Sequence, residues 1–302
     1  AAALPPAPPL PPLPARRPPR ATSDYSIKAP LAWGTQTGAA GVVVAVIDTG
    51  VTQHPDLDAN VVPGYDFISD VDVANDGNGW DPDPADPGDW ITRAESSYGV
   101  FEGCDVRNSS WHGTHVSGTI AAVQDNSLGI TGVAPGVRIQ AVRALGKCGG
   151  YNSDIIASIT WASGGSVPGV PANPTPAKVI NMSLGGDGIC GNIYASAISG
   201  AISRGTTIVA AAGNENEPIT NKVPANCPGV ISVTATDSRG QRAGYSNYGV
   251  APGQATIAAP GGDFEVDNGV LSTHNAGTTS PIFPASPGQY VYEELQGTSM
   301  AT

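Results

Sequence analysis

The sequence predicts an α/β fold in which helices cover both faces of a mostly parallel central sheet. Three observations carry this. Residues 42–47 are six consecutive apolar residues that run straight into Asp48, Thr49 and Gly50. That is the pattern of a strand buried on both faces, as in a parallel sheet. Apolar runs of strand length then alternate with stretches of helix length along the chain, which calls for βα units. At 302 residues, the chain is long enough for one large domain with a substantial core.

Taken in order, residues 1–22 stand apart. They are dense in proline and have no periodic apolar face, the composition of an extended or disordered linker. The main domain is expected over residues 23–302. Its first buried strand ends at Asp48, where open α/β sheets place their chemistry. Residues 111–122 read as a helix of mostly small residues that can pack closely, with His112 at its start. Strands are predicted over 137–145, 178–184, 206–212 and 230–235. Helices are predicted over 153–162, capped by Asn152 or Ser153, and over 192–203, ended by Gly205. No internal repeat is present.

Composition narrows the function classes. Fourteen Lys and Arg face 26 Asp and Glu, a formal net charge of −12. This argues against nucleic acid and anionic membranes as partners and favours cations. No run of 18 apolar residues occurs, so no transmembrane helix is expected. The N-terminus lacks the charged and apolar regions of a signal peptide. The four cysteines, Cys104, Cys148, Cys190 and Cys227, include no C-x-x-C pair, so zinc is not expected. An even number reads as two disulfides of an extracellular protein, with three possible connectivities.

The chemistry lies in the chain order Asp48, His112, Ser299. Serine is a poor nucleophile at neutral pH and needs an adjacent base. Histidine serves, because its ordinary pKa is about 6.5, and a buried carboxylate fixes its tautomer. Each residue alone has a blander reading: a strand-ending aspartate, a helix-start histidine, a helix N-cap serine. Asn214 alone would be a turn asparagine. His115 reads as structural, His54 as a loop residue, and His274 carries no signal.

Together the segments resemble the subtilisin-like serine proteases. The order Asp, His, Ser is that of subtilisin. Five segments match in sequence: Val-Ile-Asp-Thr-Gly ending at Gly50, His-Gly-Thr-His from His112, Asn-Met-Ser-Leu-Gly-Gly from Asn181, Ala-Ala-Gly-Asn from Ala211, and Gly-Thr-Ser-Met-Ala-Thr from Gly297. The resemblance runs from about Trp33 to Thr302. It implies the three-layer subtilisin-like fold and a secreted serine endopeptidase acting on polypeptides through an acyl-enzyme. Ser299 would be the nucleophile, His112 the base and then the acid, and Asp48 its orienting group. Asn214 and the Ser299 N–H would form the oxyanion hole. Ser183, Leu184 and Gly185 would pair with the substrate backbone. Ala211, Ala212 and Gly213 would wall a first specificity pocket roomy enough for a large apolar side chain. An alternative is an inactive, calcium-stabilised binding module that keeps the fold.

The resemblance also implies the pairing Cys104–Cys148 and Cys190–Cys227, a propeptide as folding partner, and a monomer. It implies structural calcium held by Asp56, Asn126 and the carbonyls of Gln124, Leu128 and Ile130. A second calcium is expected in the acidic loop at 66–89, with Asp72, Asp76, Asn78, Asp81 and Asp83 as ligands, because carboxylates this dense repel one another without a cation. Gln296 stands where asparagine is often found. The family pattern continues beyond Thr302 into a buried helix, so the 302-residue piece alone is expected to be inactive or unstable.

Overall fold

The computed structural model describes residues 24–251, 253–283 and 291–302; the proline-rich segment at 1–22 lies outside them. Seven strands form one parallel sheet: β1 (Val43–Asp48), β2 (Val61–Asp66), β3 (Arg138–Arg143), β4 (Val179–Met182), β6 (Thr207–Ala211), β8 (Ile231–Thr236) and β9 (Ile257–Pro260). Their order is β2-β3-β1-β4-β6-β8-β9. Two short antiparallel pairs sit outside it, β5 (Gly186–Asp187) with β7 (Lys222–Val223), and β10 (Val270–His274) with β11 (Val291–Leu295). The helices are α1 (Ala29–Trp33), α2 (Val71–Ala74), α3 (Arg93–Ser97), α4 (His112–Ala121), α5 (Asn152–Ala162), α6 (Asn192–Ser203) and α7 (Thr298–Ala301).

The period of two in each strand divides the core into two layers. Val43, Ala45 and Ile47 point to one face and pack with Ile155 and Ile159 of α5 and Ile198 of α6. Val44 and Val46 point to the other and pack with Val116 of α4 and Met300 of α7. Asp48 continues the second series, so strand alternation alone aims it at the side where α4 lies. On β4, Ile180 and Met182 belong to the α5/α6 face. Asn181 and then Ser183 therefore face the same side as Asp48. The chain leaves β1 toward β3 on one side and returns to β4 on the other, and the crevice at the carboxyl ends of β1 and β4 is where such sheets bind ligands.

The expected strands and helices are present, with ends shifted by at most two residues. Three differences have physical reasons. β2 is hidden in the sequence because Pro63 and Gly64 interrupt it; it tolerates them at the sheet edge, where a missing N–H costs little. The partners β10 and β11 are separated by 16 intervening residues, far more than the tight turn that marks a hairpin in sequence. Asn152 is the first residue of α5 and Tyr151 occupies the cap position without a side-chain bond; Asn152 Oδ1 instead accepts the Tyr194 hydroxyl at 3.1 Å. The two disulfides are Cys104–Cys148 and Cys190–Cys227, the expected pairing.

His54 lies in a loop, as expected, but is buried, and its ring meets Tyr292 edge-on at 5.1 Å. His115 is fully buried, with Nε2 at 3.1 and 3.0 Å from the carbonyls of Val270 and Glu293; it fixes the β10–β11 pair to α4. Its Nδ1 has no hydrogen-bond partner among the described residues. Burial is the largest cause holding His54, His115 and His274 below the ordinary histidine range, and His115 falls to about 4. The unfolded chain then binds protons that the folded chain refuses, so stability is lost as pH falls through about 6.5 toward 4. For His115 alone, the loss at pH 5 should be about 2 kcal/mol. Chemical unfolding at pH 5 and 7.5 should show this slope, and His115→Asn should flatten it.

Candidate active site

The site assembles from the ends of three strands and the starts of two helices. Asp48 is fully buried. Its Oδ1 accepts the Thr49 N–H at 2.7 Å, and its two oxygens lie 2.8 and 2.9 Å from His112 Nδ1. This leaves His112 Nε2 for the cleft. Burial works against the imidazolium, but the charge and hydrogen bond of Asp48 outweigh it, so the His112 pKa lies above its ordinary value.

This approach depends on residues with no chemistry of their own. A Cβ on Gly113 would meet the Gly50 carbonyl oxygen at 2.2 Å and Asp48 Cβ at 3.2 Å; only glycine lets α4 start this close to β1. Trp111 precedes His112 in the left-handed conformation, φ 49°, at a cost on the order of 1–2 kcal/mol. Its fully buried ring, with Nε1 donating to the Gly277 carbonyl at 2.7 Å, holds it there. Thr49 braces the corner: its hydroxyl donates to Asp86 Oδ2 at 2.8 Å and accepts the Gly113 N–H at 3.0 Å.

The opposite side is built on β4, β6 and α7. Gly297 occupies the N-cap position of α7, so Ser299 is the second helical residue and not the cap. The Ser299 hydroxyl donates to the Ser183 carbonyl at 3.1 Å, while Ser183 Oγ lies 2.9 Å from the Ser299 carbonyl. The nucleophile candidate thus rests on the end of β4 rather than on His112. Thr298 supplies what sequence reasoning missed. Its N–H and hydroxyl both donate to Asn214 Oδ1, at 2.9 and 3.0 Å, and its hydroxyl accepts the Gly213 N–H at 3.1 Å. Two donors thus hold Asn214 Oδ1, and Asn214 lines the same cavity as Ser299.

Two cavities flank the wall formed by residues 183–186. One of about 670 Å³ runs past His112, Leu145, Tyr194 and Val223. The other, of about 270 Å³, lies between residues 183–187 and 211–215 and reaches Ser299 and Lys222. The expected pocket walls Ala211, Ala212 and Gly213 line the second cavity, as do Ser183, Leu184 and Gly185.

The expected calcium ligands are placed differently. Asp56 is fully buried, and its carboxylate accepts from Asn126 Nδ2 at 2.6 Å, the Ile130 N–H at 3.0 Å and the Tyr292 hydroxyl at 3.1 Å. Asn126 Oδ1 meanwhile accepts the Leu128 N–H. Donors converge on the carboxylate, and Ile130 offers it an N–H rather than a carbonyl. Asp56, Asn126 and Ile130 are thus brought together at one buried carboxylate. In the acidic loop, Asn78 donates to Asp81, Asp83 and Asp81 close local turns, and Asp76 pairs with Arg143. Asp72 donates its N–H to the Asp70 carboxylate. Asp76, Asn78, Asp81 and Asp83 line one cavity of about 610 Å³ and Asp72 does not, and among the described residues no three His, Cys, Asp or Glu side chains are grouped to hold a metal. Asp86, at the end of that loop, is pushed up to about 7 by burial, against the bonds from Thr49 and Gly88.

The chain is similar to known proteins. A sequence model described as "Subtilase family" matches residues 39–302. The chain is 50% identical over 281 residues to an extracellular protease of Xanthomonas campestris, covering 93% of this chain and 45% of that protein. It is 43% identical over 278 residues to an extracellular basic protease of Dichelobacter nodosus, covering 92% and 44%. The chain spans about half the length of the curated relatives it matches. Among solved structures, a protease from Pseudoalteromonas arctica superposes with a TM-score of 0.83 at 51% identity, covering 90% of this chain and 77% of that one.

The close contact at Gly113 is directly testable. Gly113→Ala should force α4 away from β1, destabilise the fold by about 1–3 kcal/mol, and return the His112 pKa toward its ordinary value. Chemical denaturation and NMR titration of the imidazole read the two effects separately.

Proposed function

The chain belongs to the subtilase family, and on that premise we propose that residues 23–302 form the catalytic domain of a secreted serine endopeptidase. The domain hydrolyses peptide bonds of polypeptide substrates through an acyl-enzyme. The observation that carries this reading is the buried Asp48 carboxylate held at 2.8 Å from His112 Nδ1, beside a cleft that also reaches residues 183–186. Secretion is supported by the relatives named extracellular proteases and by the two disulfides. Residues 1–22 are a linker in this reading, the domain matures with its own propeptide, and it works as a monomer.

In the reaction, Ser299 turns its hydroxyl from the Ser183 carbonyl toward His112; hydrogen bonds of this kind often tighten only once substrate is bound. Neutral His112 takes the Ser299 proton as Oγ attacks the carbonyl carbon. Asp48 stabilises the imidazolium that forms and stays ionised. The Asn214 NH₂ and the Ser299 N–H receive the developing oxyanion. His112 then protonates the leaving amine, and water repeats the sequence on the acyl-enzyme. The substrate backbone lies along residues 183–185 as an added strand.

A fluorophosphonate should label Ser299 in the full-length protein and fail to label Ser299→Ala or His112→Ala; absence of labelling in the wild-type protein would favour an inactive module. Only neutral His112 acts as base, so kcat/KM should rise with pH through a value above about 6.5, and a flat profile from pH 5 to 9 would contradict the assignment. Asn214→Ala should cost roughly 10²–10³ in kcat with KM little changed, a range set by subtilisin itself.

Calcium enters the proposal as a structural stabiliser, as the family resemblance implies, with no ligand set assigned to it. Binding to the folded state alone raises stability as RT ln(1 + [Ca²⁺]/Kd). Melting temperature should therefore climb with added calcium and fall on chelation. A melting temperature indifferent to both would mean that calcium plays no structural part.

A further inference from the structure

The pocket of about 270 Å³ beside Ser299 has small apolar walls but a charged end. Lys222 sits there, with only 8% of its side chain exposed. Its ammonium lies 2.7 Å from Asp187 Oδ1, 3.2 Å from Glu215 Oε2 and 3.3 Å from Glu217 Oε2. An ammonium has three N–H donors, so each is matched by one carboxylate. Glu215 Oε2 also accepts Asn247 Nδ2 at 2.6 Å. The geometry is fixed by pairing between strands, since Asp187 of β5 is the register partner of Lys222 of β7. The bond from Asp187 is the largest cause holding the Lys222 pKa well above its ordinary value, so the lysine stays charged across any working pH.

One cation against three carboxylates leaves an excess of two negative charges. The carboxylates are also the accessible part: the Asp187, Glu215 and Glu217 side chains are 86, 51 and 61% exposed. A fully committed lysine has no donor left for an incoming acceptor. We propose, resting on the peptidase reading above, that the cluster of Lys222, Asp187, Glu215 and Glu217 sets specificity for the residue preceding the scissile bond. The pocket favours a long basic side chain, Lys or Arg, and rejects Asp and Glu. The aliphatic stem of such a side chain lies along Ala211, Ala212 and Gly213, and its charge reaches the carboxylates, as amphipathic side chains commonly do. Lys222 in this view is no ligand for substrate. It neutralises one of three crowded carboxylates and anchors the others at the pocket end.

The test compares peptide substrates that differ only at this position: Lys, norleucine (the same stem without charge) and Glu. In the full-length protein at low salt, kcat/KM for Lys should exceed that for norleucine about 5–30-fold, as expected for two unit charges near the surface. Glu should fall below norleucine. The Lys-to-norleucine ratio should shrink several-fold in Asp187→Asn, in Glu217→Gln, and in 1 M salt. A ratio at or below one in the wild-type protein, or one unmoved by these changes, overturns the proposal. The same peptides bound to Ser299→Ala, measured by calorimetry, read the pocket without turnover. If the protein cleaves nothing but Ser299→Ala still prefers Lys over norleucine and Glu, the pocket assignment stands and the peptidase reading falls. If it cleaves well but both measurements rank norleucine first, the reverse holds.

Discussion

A carboxylate with no exposed surface must be paired, because an unpartnered buried charge costs several kcal/mol. Asp48 is such a group, and its pairing with His112 Nδ1 is the contact around which the rest is arranged. Strand alternation in β1 aims Asp48 at α4. Gly113 removes the only atom that would hold α4 off. Thr49 ties that corner to buried Asp86, and Trp111 fixes the start of the helix by its own burial. None of these residues is assigned a contact with substrate, yet each sets where one imidazole nitrogen lies.

The nucleophile side has a parallel logic. β4 and β6 are neighbours in the sheet, so the segments that follow them leave the sheet side by side, about 4.8 Å apart in the strand-pairing direction. Past the paired residues the two segments line the cavity between residues 183–187 and 211–215. Thr298 joins this wall to α7 through Asn214 and Gly213, so one hydroxyl orients the proposed oxyanion donor and docks the helix that carries Ser299. The same two segments bring Asp187 and Glu215 to Lys222. The proposed oxyanion donor and the proposed specificity cluster are therefore held by one piece of framework.

Much of this is legible in the sequence. The run ending at Asp48, the small-residue helix from His112 and the alternation of strand and helix are local patterns, and local patterns survive in sequence. Asn214 and Ser299 stand out only because several short segments match together. What escapes is tertiary. Lys222 looks like any surface lysine until β7 pairs with β5, and no spacing announces that Asp187, Glu215 and Glu217 meet it. Thr298 reads as one residue of a motif; its role depends on a partner 84 positions away. His54 reads as a loop residue and is one, but its burial against Tyr292, far along the chain, leaves no mark in the sequence. Asp56 is read from its motif. The motif around it implies a cation, whereas the chain itself brings three donors to that carboxylate. A sequence pattern specifies which groups meet more reliably than which of their atoms face each other.

Buried Asp48 sets the orientation and charge of His112, and NMR titration of that imidazole in the wild-type protein and in Asp48→Asn tests this most directly. The wild-type pKa should lie above the ordinary value of about 6.5. In Asp48→Asn, where burial remains and the opposing charge is gone, it should drop clearly below that of the wild type. An identical pKa in the two proteins would contradict this role for Asp48.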